Sequence, residues 1–160
     1  MRIGLISDTH GLLRPEVFDV FTDVDHILHA GDVGSLDLLT ELEAIGPVSA
    51  VWGNTDGWDV RQRLPEVAQF EFAGLTVRLI HGQQYGAPTA AALAVEHQDV
   101  DLVVFGHSHR PEIHRARTTV AVNPGSAGPA RFKLPTTVAI ASLDEGGIEV
   151  DLVTLVERGG

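Results

Sequence analysis

Ile3 to Ile6 is an apolar run that leads, two positions on, to Asp8-Thr9-His10. The arrangement recurs: Ile27-Leu28 leads to Gly31-Asp32, Val48 to Trp52 to Gly53-Asn54-Thr55-Asp56, Val77 to Ile80 to His81-Gly82, and Leu102 to Phe105 to Gly106-His107-Ser108-His109. A strand-length apolar run closed by a turn-prone polar block, repeated in this way, restricts the chain to few architectures. In open α/β sheets the carboxyl ends of parallel strands carry the ligand-binding loops, which converge on one crevice. Glycine beside the polar residues lets the backbone turn sharply and approach a ligand.

The segments between these blocks switch between strand-like and helix-like periodicity, as layered α/β proteins do. Arg2 to Ser7 reads as a buried strand, and Arg14-Pro15 with Val17, Phe18, Val20 and Phe21 as a short helix with proline in its first turn. His26 to His29 is a second strand. Ser35 is placed to cap a helix whose apolar face is Leu38, Leu39 and Leu42 and which stops near Gly46-Pro47. Val48 to Trp52 is the third strand, followed by a polar loop. Val67 to Phe72 and Leu75 to His81 form a hairpin about Ala73-Gly74, and Pro88 to Glu96 is the last helix. Leu102 to Phe105, Ile113 to Ala116, Val120 to Val122, Thr137 to Ala141 and Ile148 to Leu155 read as strands. Two sheets face to face with helices outside accommodate this order, and so does one mixed sheet with helices on both sides.

A chain of 160 residues fits one domain able to bury a substantial core, and 44% hydrophobic with 21% charged residues is an ordinary globular composition. With no cysteine, disulfides, thiolate metal sites and cysteine nucleophiles are excluded, so a metal must be held by histidine, carboxylate or amide oxygen. The amino terminus enters a strand at once without a signal-peptide pattern, which leads to the expectation of a cytoplasmic protein. No apolar stretch approaches the length of a membrane span. The formal charge of −11 opposes a stable complex with nucleic acid or anionic lipid. Nothing in the sequence fixes an oligomeric state.

Asp8, His10, Asp32, Asn54, His81, His107 and His109 together are two Asp, one Asn and four His, a donor set suited to first-row divalent ions such as Mn, Fe, Co, Ni or Zn. It is large enough for two ions sharing a carboxylate. Asp8 and His10, like His107 and His109, are two apart, so an extended backbone would present each pair on one side. Singly, each residue has a plainer reading: Asp8 as a helix cap, His81 as a core histidine, Gly31-Asp32 and Gly53-Asn54 as turns. The conjunction argues otherwise, since four of the eight histidines fall in these blocks. His26, His97 and His114 are assigned structural or surface roles, and His29 is left open.

The order Asp-x-His, Gly-Asp, Gly-Asn-x-Asp, His-Gly, Gly-His-x-His resembles the calcineurin-like metallophosphoesterase superfamily, and Asn123-Pro124-Gly125-Ser126 resembles the closing block of its small bacterial and archaeal phosphodiesterase branch. The resemblance implies a single metallophosphoesterase domain over 1–160, a four-layer α-β-β-α sandwich with two mixed sheets and the metal site at one rim. It implies two divalent metal ions, with Mn the first choice and Ni, Co, Fe or Zn the others. Asp8, His10 and His109 would hold one ion and Asn54, His81 and His107 the other, with Asp32 as bridge. Asp32 and Asn54 would then take part directly in catalysis. Two such ions, with two carboxylates and a bridging hydroxide, leave about one positive charge, which suits a small phosphoester substrate attacked in line.

The sequence departs from better-known members at Thr55, where they carry a histidine thought to protonate the leaving group. Threonine is no general acid near neutral pH. Asp56 reads as a residue holding the loop or a ligand histidine, or equally as a plain Asx-turn residue, Asn123 as a turn residue shaping the rim, and Arg131 and Lys133 as surface residues that could reach a phosphate. Phosphodiester hydrolysis is the favoured activity. The competing readings are a phosphomonoesterase on the same site and a protein-binding scaffold like the small retromer subunit that resembles this fold.

Overall fold

The computed structural model describes residues 1–131 and 133–155, so the last five positions of the expected 1–160 domain lie outside the described residues. In chain order the elements are β1 (Arg2–Ile6), α1 (Glu16–Val20), β2 (His26–His29), α2 (Leu36–Leu42), β3 (Val48–Ala50), α3 (Trp58–Arg63), β4 (Val67–Phe72), β5 (Leu75–Ile80), α4 (Ala90–Glu96), β6 (Leu102–Val104), β7 (Glu112–Ala116), β8 (Thr119–Asn123), β9 (Thr137–Asp144) and β10 (Gly147–Thr154), with a 3₁₀ turn at Gln83–Tyr85. They make two five-stranded sheets, ordered β10-β9-β1-β2-β3 and β4-β5-β6-β8-β7.

Each sheet is mixed. In the first, β1, β2 and β3 are parallel, β9 pairs antiparallel with β1, and β10 pairs antiparallel with β9 at the edge. In the second, β5, β6 and β8 are parallel, flanked by antiparallel β4 and β7. Side chains alternate across a strand, and here both faces are apolar. Ile3 and Leu5, Val77 and Leu79, Leu102 and Val104, Val120 and Val122, and Ala139 and Ala141 meet in a core between the sheets. The alternate residues Ile27, Val138 and Ile140 turn outward against Val17, Phe21, Leu38 and Leu42 of the helical layer beside β1 and β2. Ile80, Val103 and Ala121 do the same against Ala90, Leu93 and Ala94 of α4. Three cores separate four layers, helix, sheet, sheet and helix. Two sheets are thus formed rather than one.

Local chemistry accounts for most boundaries. Ser35 caps α2, its hydroxyl accepting from Asp37 N at 3.1 Å, and Thr89 caps α4, accepting from Ala92 N at 3.2 Å. Ala73 and Gly74 both have positive φ, 52° and 80°, as a two-residue hairpin turn matched to strand twist requires. Helix α3 occupies what the sequence pattern reads as loop. Only Val60 is buried in it, so no apolar stripe announces it. Arg61 secures it instead, donating to the carbonyls of Asp56 (2.7 Å) and Asn54 (2.9 Å) with its guanidinium 4.3 Å from the centre of the Trp52 ring. Among the described residues no helix is long and apolar enough to cross a membrane.

Candidate metal centre

The parallel strands β1, β2, β3, β5 and β6 all point their carboxyl ends to the same rim, so Asp8-Thr9-His10, Gly31-Asp32, Gly53-Asn54, His81 and His107-Ser108-His109 converge there. The two sheets are tied together at this rim by polar contacts. His81 Nδ1–H donates to Ala30 O at 2.8 Å, and His107 N–H donates to Asp8 Oδ2 at 3.2 Å. Glycine is required where the loops touch: a Cβ on Gly106 would lie 2.1 Å from Ser7 Oγ, and one on Gly53 2.2 Å from Asp32 Oδ1.

All seven sequence-chosen residues are brought together, in two groups. In one, His109 Nε2 lies 3.2 Å from Asp8 Oδ1, and the His10 and His109 rings are 5.4 Å apart. In the other, Asn54 Oδ1 stands 3.1 Å from both His81 Nε2 and His107 Nδ1, and the rings of His81 and His107 are 5.2 Å apart. Asp32 Oδ2 lies between the groups, 3.2 Å from His81 Nε2 and 3.9 Å from His10 Nε2. Donor atoms of Asp8, His10 and His109, and of Asp8, Asp32 and His81, fall close enough together to share one ion.

The surrounding hydrogen bonds use up one oxygen of each carboxylate and leave the other facing inward. Asp8 Oδ2 accepts from Ser7 Oγ–H at 2.6 Å, while the buried Oδ1 accepts no hydrogen bond despite the nearby His109. Asp32 Oδ1 accepts from Thr55 N–H at 2.9 Å. His10 Nε2 is also buried without a partner. Unpartnered buried polar atoms are costly, and here a carboxylate oxygen and an imidazole nitrogen in one cluster are both left so, which fits a cation. With Nδ1–H given to Ala30, His81 turns Nε2 inward as a lone pair.

The charges point the same way. Burial works against the Asp8 and Asp32 carboxylates, but His109, His81 and Ser7 for the first, and His81 and Thr55 for the second, hold both below the ordinary carboxylate range. Burial equally opposes the His81 imidazolium, yet its bond to Asp32 and the charges of Asp8 and Asp32 raise its pKa. Two ionised carboxylates in a buried cluster call for a positive charge beside them.

The backbone differs from the extended path expected for the Asp-x-His and His-x-His pairs. Asp8, His10, Asp32, His107 and His109 all have positive φ, between 48° and 74°. The chain leaves each strand and turns at once, so these pairs converge through left-handed residues and not through a continued pleat. Such conformations cost non-glycine residues about 1 kcal/mol or more each and cluster at functional sites. Among the described non-glycine residues only Ala73 and Arg117 share the conformation without belonging to this set.

The remaining candidates sort by contact. Asp56, 4% exposed, accepts from Gly53 N (2.9 Å), Val33 N (3.2 Å) and Gly34 N (2.9 Å), and so clamps the loop after β2 to the loop after β3 without touching a ligand histidine. His29 is fully buried. Its Nδ1 accepts from Gly31 N–H at 3.1 Å and its Nε2–H donates to Thr9 Oγ, 2.9 Å, so no ring nitrogen is left to bind metal or deliver a proton. Burial pushes its pKa down to about 4. Asn123 Nδ2–H₂ donates to Gly106 O (3.2 Å) and Ser108 Oγ (2.9 Å), shaping the rim as a turn residue. His26 meets Ser49, His97 meets Arg78 and Tyr85, and His114 is exposed. Arg131, read from sequence as a surface residue, lines a cleft beside His107 and His109, and Lys133 is exposed. Leu134, in the same cleft, was missed because a single leucine in a Pro-rich loop carries no pattern.

Residues 1–146 match the model of the calcineurin-like phosphoesterase superfamily domain. A probable metallophosphoesterase of Methanothermobacter thermautotrophicus is 38% identical over 96% of this chain and 92% of its own length. A solved archaeal phosphodiesterase superposes with a TM-score of 0.76 at 25% identity, covering 97% of this chain and all of that one. Vps29 of Entamoeba histolytica, solved in complex with Zn²⁺, shares the fold at a TM-score of 0.75 and 23% identity, over 98% of this chain and all of its own. With the family model matched over residues 1–146 and a relative 38% identical along nearly the whole chain, this chain belongs to the calcineurin-like phosphoesterase superfamily.

Proposed function

We propose that this chain is a single-domain, cytoplasmic, dinuclear metal-dependent phosphodiesterase acting on small phosphodiesters. The observation that carries the reading is the pair of buried, unpartnered donor atoms, Asp8 Oδ1 and His10 Nε2, inside a cluster whose other members are all oxygen or imidazole donors. Asp8, His10 and His109 would hold one ion and Asn54, His81 and His107 the other, with Asp32 serving both. The grouping of the rings into His10 with His109 and His81 with His107 favours this division. Mn is the preferred metal, with Ni, Co, Fe or Zn as alternatives, since a donor set of carboxylate, amide and imidazole accepts the whole first-row series. When bound, such ions supply the charge that activates water and gathers the phosphoryl oxygens. The chain's own part is to fix the donors. Ser7 and Thr55 engage the outer carboxylate oxygens, Ala30 sets the His81 tautomer, and exposed Asn54 stands at the mouth where substrate enters.

The diester preference draws on the likeness to the archaeal phosphodiesterase. The test is a screen of chelator-stripped protein against Mn, Ni, Co, Fe, Zn and Mg with aryl and nucleotide diesters and monoesters. Metal-restored diester hydrolysis is expected, faster than monoester hydrolysis. Full activity in excess chelator overturns the metal reading, and a monoester preference favours the phosphomonoesterase. The fold shared with Vps29 supports a second reading, a protein-binding scaffold. A chain that binds metal tightly, turns over no phosphoester and stays stably folded on a protein partner would support it.

A further inference from the structure

We infer that the cleft between Ser108-His109 and the Arg131–Leu134 segment is the subsite for one ester substituent of a phosphodiester, and that Arg131 is a positioning residue gripping the phosphoryl oxygens at its entrance. This rests on the phosphodiesterase reading above and adds a substrate size and a recognition residue to it.

The segment is held against the metal centre by its root. Ser126 pairs with Thr136, and Thr137 N–H donates to Ser126 O at 3.0 Å, so the ends of the 127–135 loop are pinned together. Ser126 Oγ–H donates to Asp8 O at 3.0 Å, and Gly128 packs so tightly that a Cβ there would lie 2.4 Å from Thr9 O. The loop is therefore positioned by the same strand end that presents Asp8 and His10.

Arg131 makes no side-chain hydrogen bond or ion pair among the described residues, although acidic residues outnumber basic ones 22 to 11. Arg78, by contrast, holds Asp99 at 2.6 Å. A guanidinium left without a carboxylate beside a cation-binding cluster is repelled by any metal bound there unless an anion lies between them. A phosphoryl group is such an anion, and its oxygens match the planar donor fork of arginine.

The cleft itself has a volume of about 160 Å³ and is lined by His107, Ser108, His109, Arg131 and Leu134. An apolar cavity of about 150 Å³ admits a benzene ring, so the space matches one ring and is too small for a whole nucleoside. Its lining combines the apolar side chain of Leu134 with the polar Ser108. A monoester has no second substituent to fill this space beside its leaving group. A diester does.

The test uses metal-loaded protein with two probes, inorganic phosphate titrated calorimetrically and bis(4-nitrophenyl) phosphate as substrate. Removing charge-assisted hydrogen bonds in Arg131→Ala should raise the phosphate Kd roughly 10- to 100-fold, with bound metal unchanged and Arg131→Lys intermediate. Leu134→Trp should leave the phosphate Kd within about twofold while raising the diester KM by about tenfold or more, and the milder Leu134→Phe should fall between. A wild-type phosphate Kd in Arg131→Ala, or a wild-type diester KM in Leu134→Trp, overturns the inference. Failure of the wild-type protein to hydrolyse any phosphoester overturns the proposed activity instead, and the phosphate titration is read independently of it.

Discussion

Asp56 offers a direct measure of how much of the metal rim is held by the protein itself. Its carboxylate receives three backbone N–H groups, those of Val33 and Gly53 on Oδ2 and that of Gly34 on Oδ1. In Asp56→Ala all three lose their acceptor. Gly34 is exposed and can turn to water, but Val33 and Gly53 are buried and cannot. Hydrogen bonds to a charged acceptor are worth about 1.5–3 kcal/mol each, and a stranded buried donor costs a similar amount. Two such losses give a destabilisation of about 3–5 kcal/mol. At about 2–4 °C per kcal/mol for a chain of this length, Tm should fall by roughly 6–20 °C.

The measurement belongs in excess chelator, because a bound metal adds its own linkage free energy and would mask the protein's share. Urea unfolding at neutral pH compares wild type, Asp56→Ala and Asp56→Asn. The asparagine variant keeps one acceptor oxygen but faces its NH₂ toward a backbone donor, so it should be nearly as unstable. Metal affinity should also drop in both variants, since Asp32 and Asn54 stand on the two loops that Asp56 joins. An Asp56→Ala protein within about 1 kcal/mol of wild type would refute the clamp and show that α3 and its Arg61 bonds alone hold the loops.

Further predictions concern pH, the metal bridge and the leaving group. His29 has a folded pKa of about 4 against 6.5 unfolded, so its contribution is complete above pH 6.5 and is lost as pH falls toward 4. Between pH 7 and 5 that amounts to about 2 kcal/mol, and His29→Gln in chelator should reduce the acid-induced drop in urea stability by this much; an unchanged pH slope would contradict it. Asp32→Asn should lower metal-dependent activity most among the ligand variants, because the shared oxygen loses its charge, whereas His114→Ala on the exposed face of β7 should change it little; equal losses would show the assignment to be wrong. With Thr55 in place of a histidine acid and both His29 nitrogens engaged, log kcat/KM across aryl diesters should fall steeply as leaving-group pKa rises, since general acid help of about 10²–10⁴-fold is missing. A flat dependence with chemistry rate-limiting would mean that another group delivers the proton.

The strands and the convergence of the seven candidate donors at one rim were legible because each rests on a local signal: an apolar run, then Gly with Asp, Asn or His at its end. The pairing of two sheets was less so. Residues 102–104, 120–122 and 138–141 are buried on both faces, so their near-continuous apolar runs look alike whether one sheet or two surround them. Helix α3 was hidden for the opposite reason, having one buried residue and relying on Arg61 contacts made in three dimensions. The backbone of the site was misread in an instructive way. Two-residue spacing suggested extended pairs, but five of the ligand candidates are left-handed. Glycine would remove that cost and would also remove the donor atom. The chain places glycine beside the donors, at 53 and 106 for close approach and at 31 where φ is itself 100°, and still leaves five left-handed positions to residues that carry chemistry. At about 1 kcal/mol or more apiece, five such residues store several kcal/mol. The bonds Asp8 N to Gly31 O (3.0 Å) and His10 N to Asp32 O (2.9 Å), together with the Asp56 clamp, hold that strain in place before any metal arrives. A site strained in this way is preorganised, so the donors need little rearrangement to close around ions, and loosening the frame should weaken metal binding even where every donor is kept.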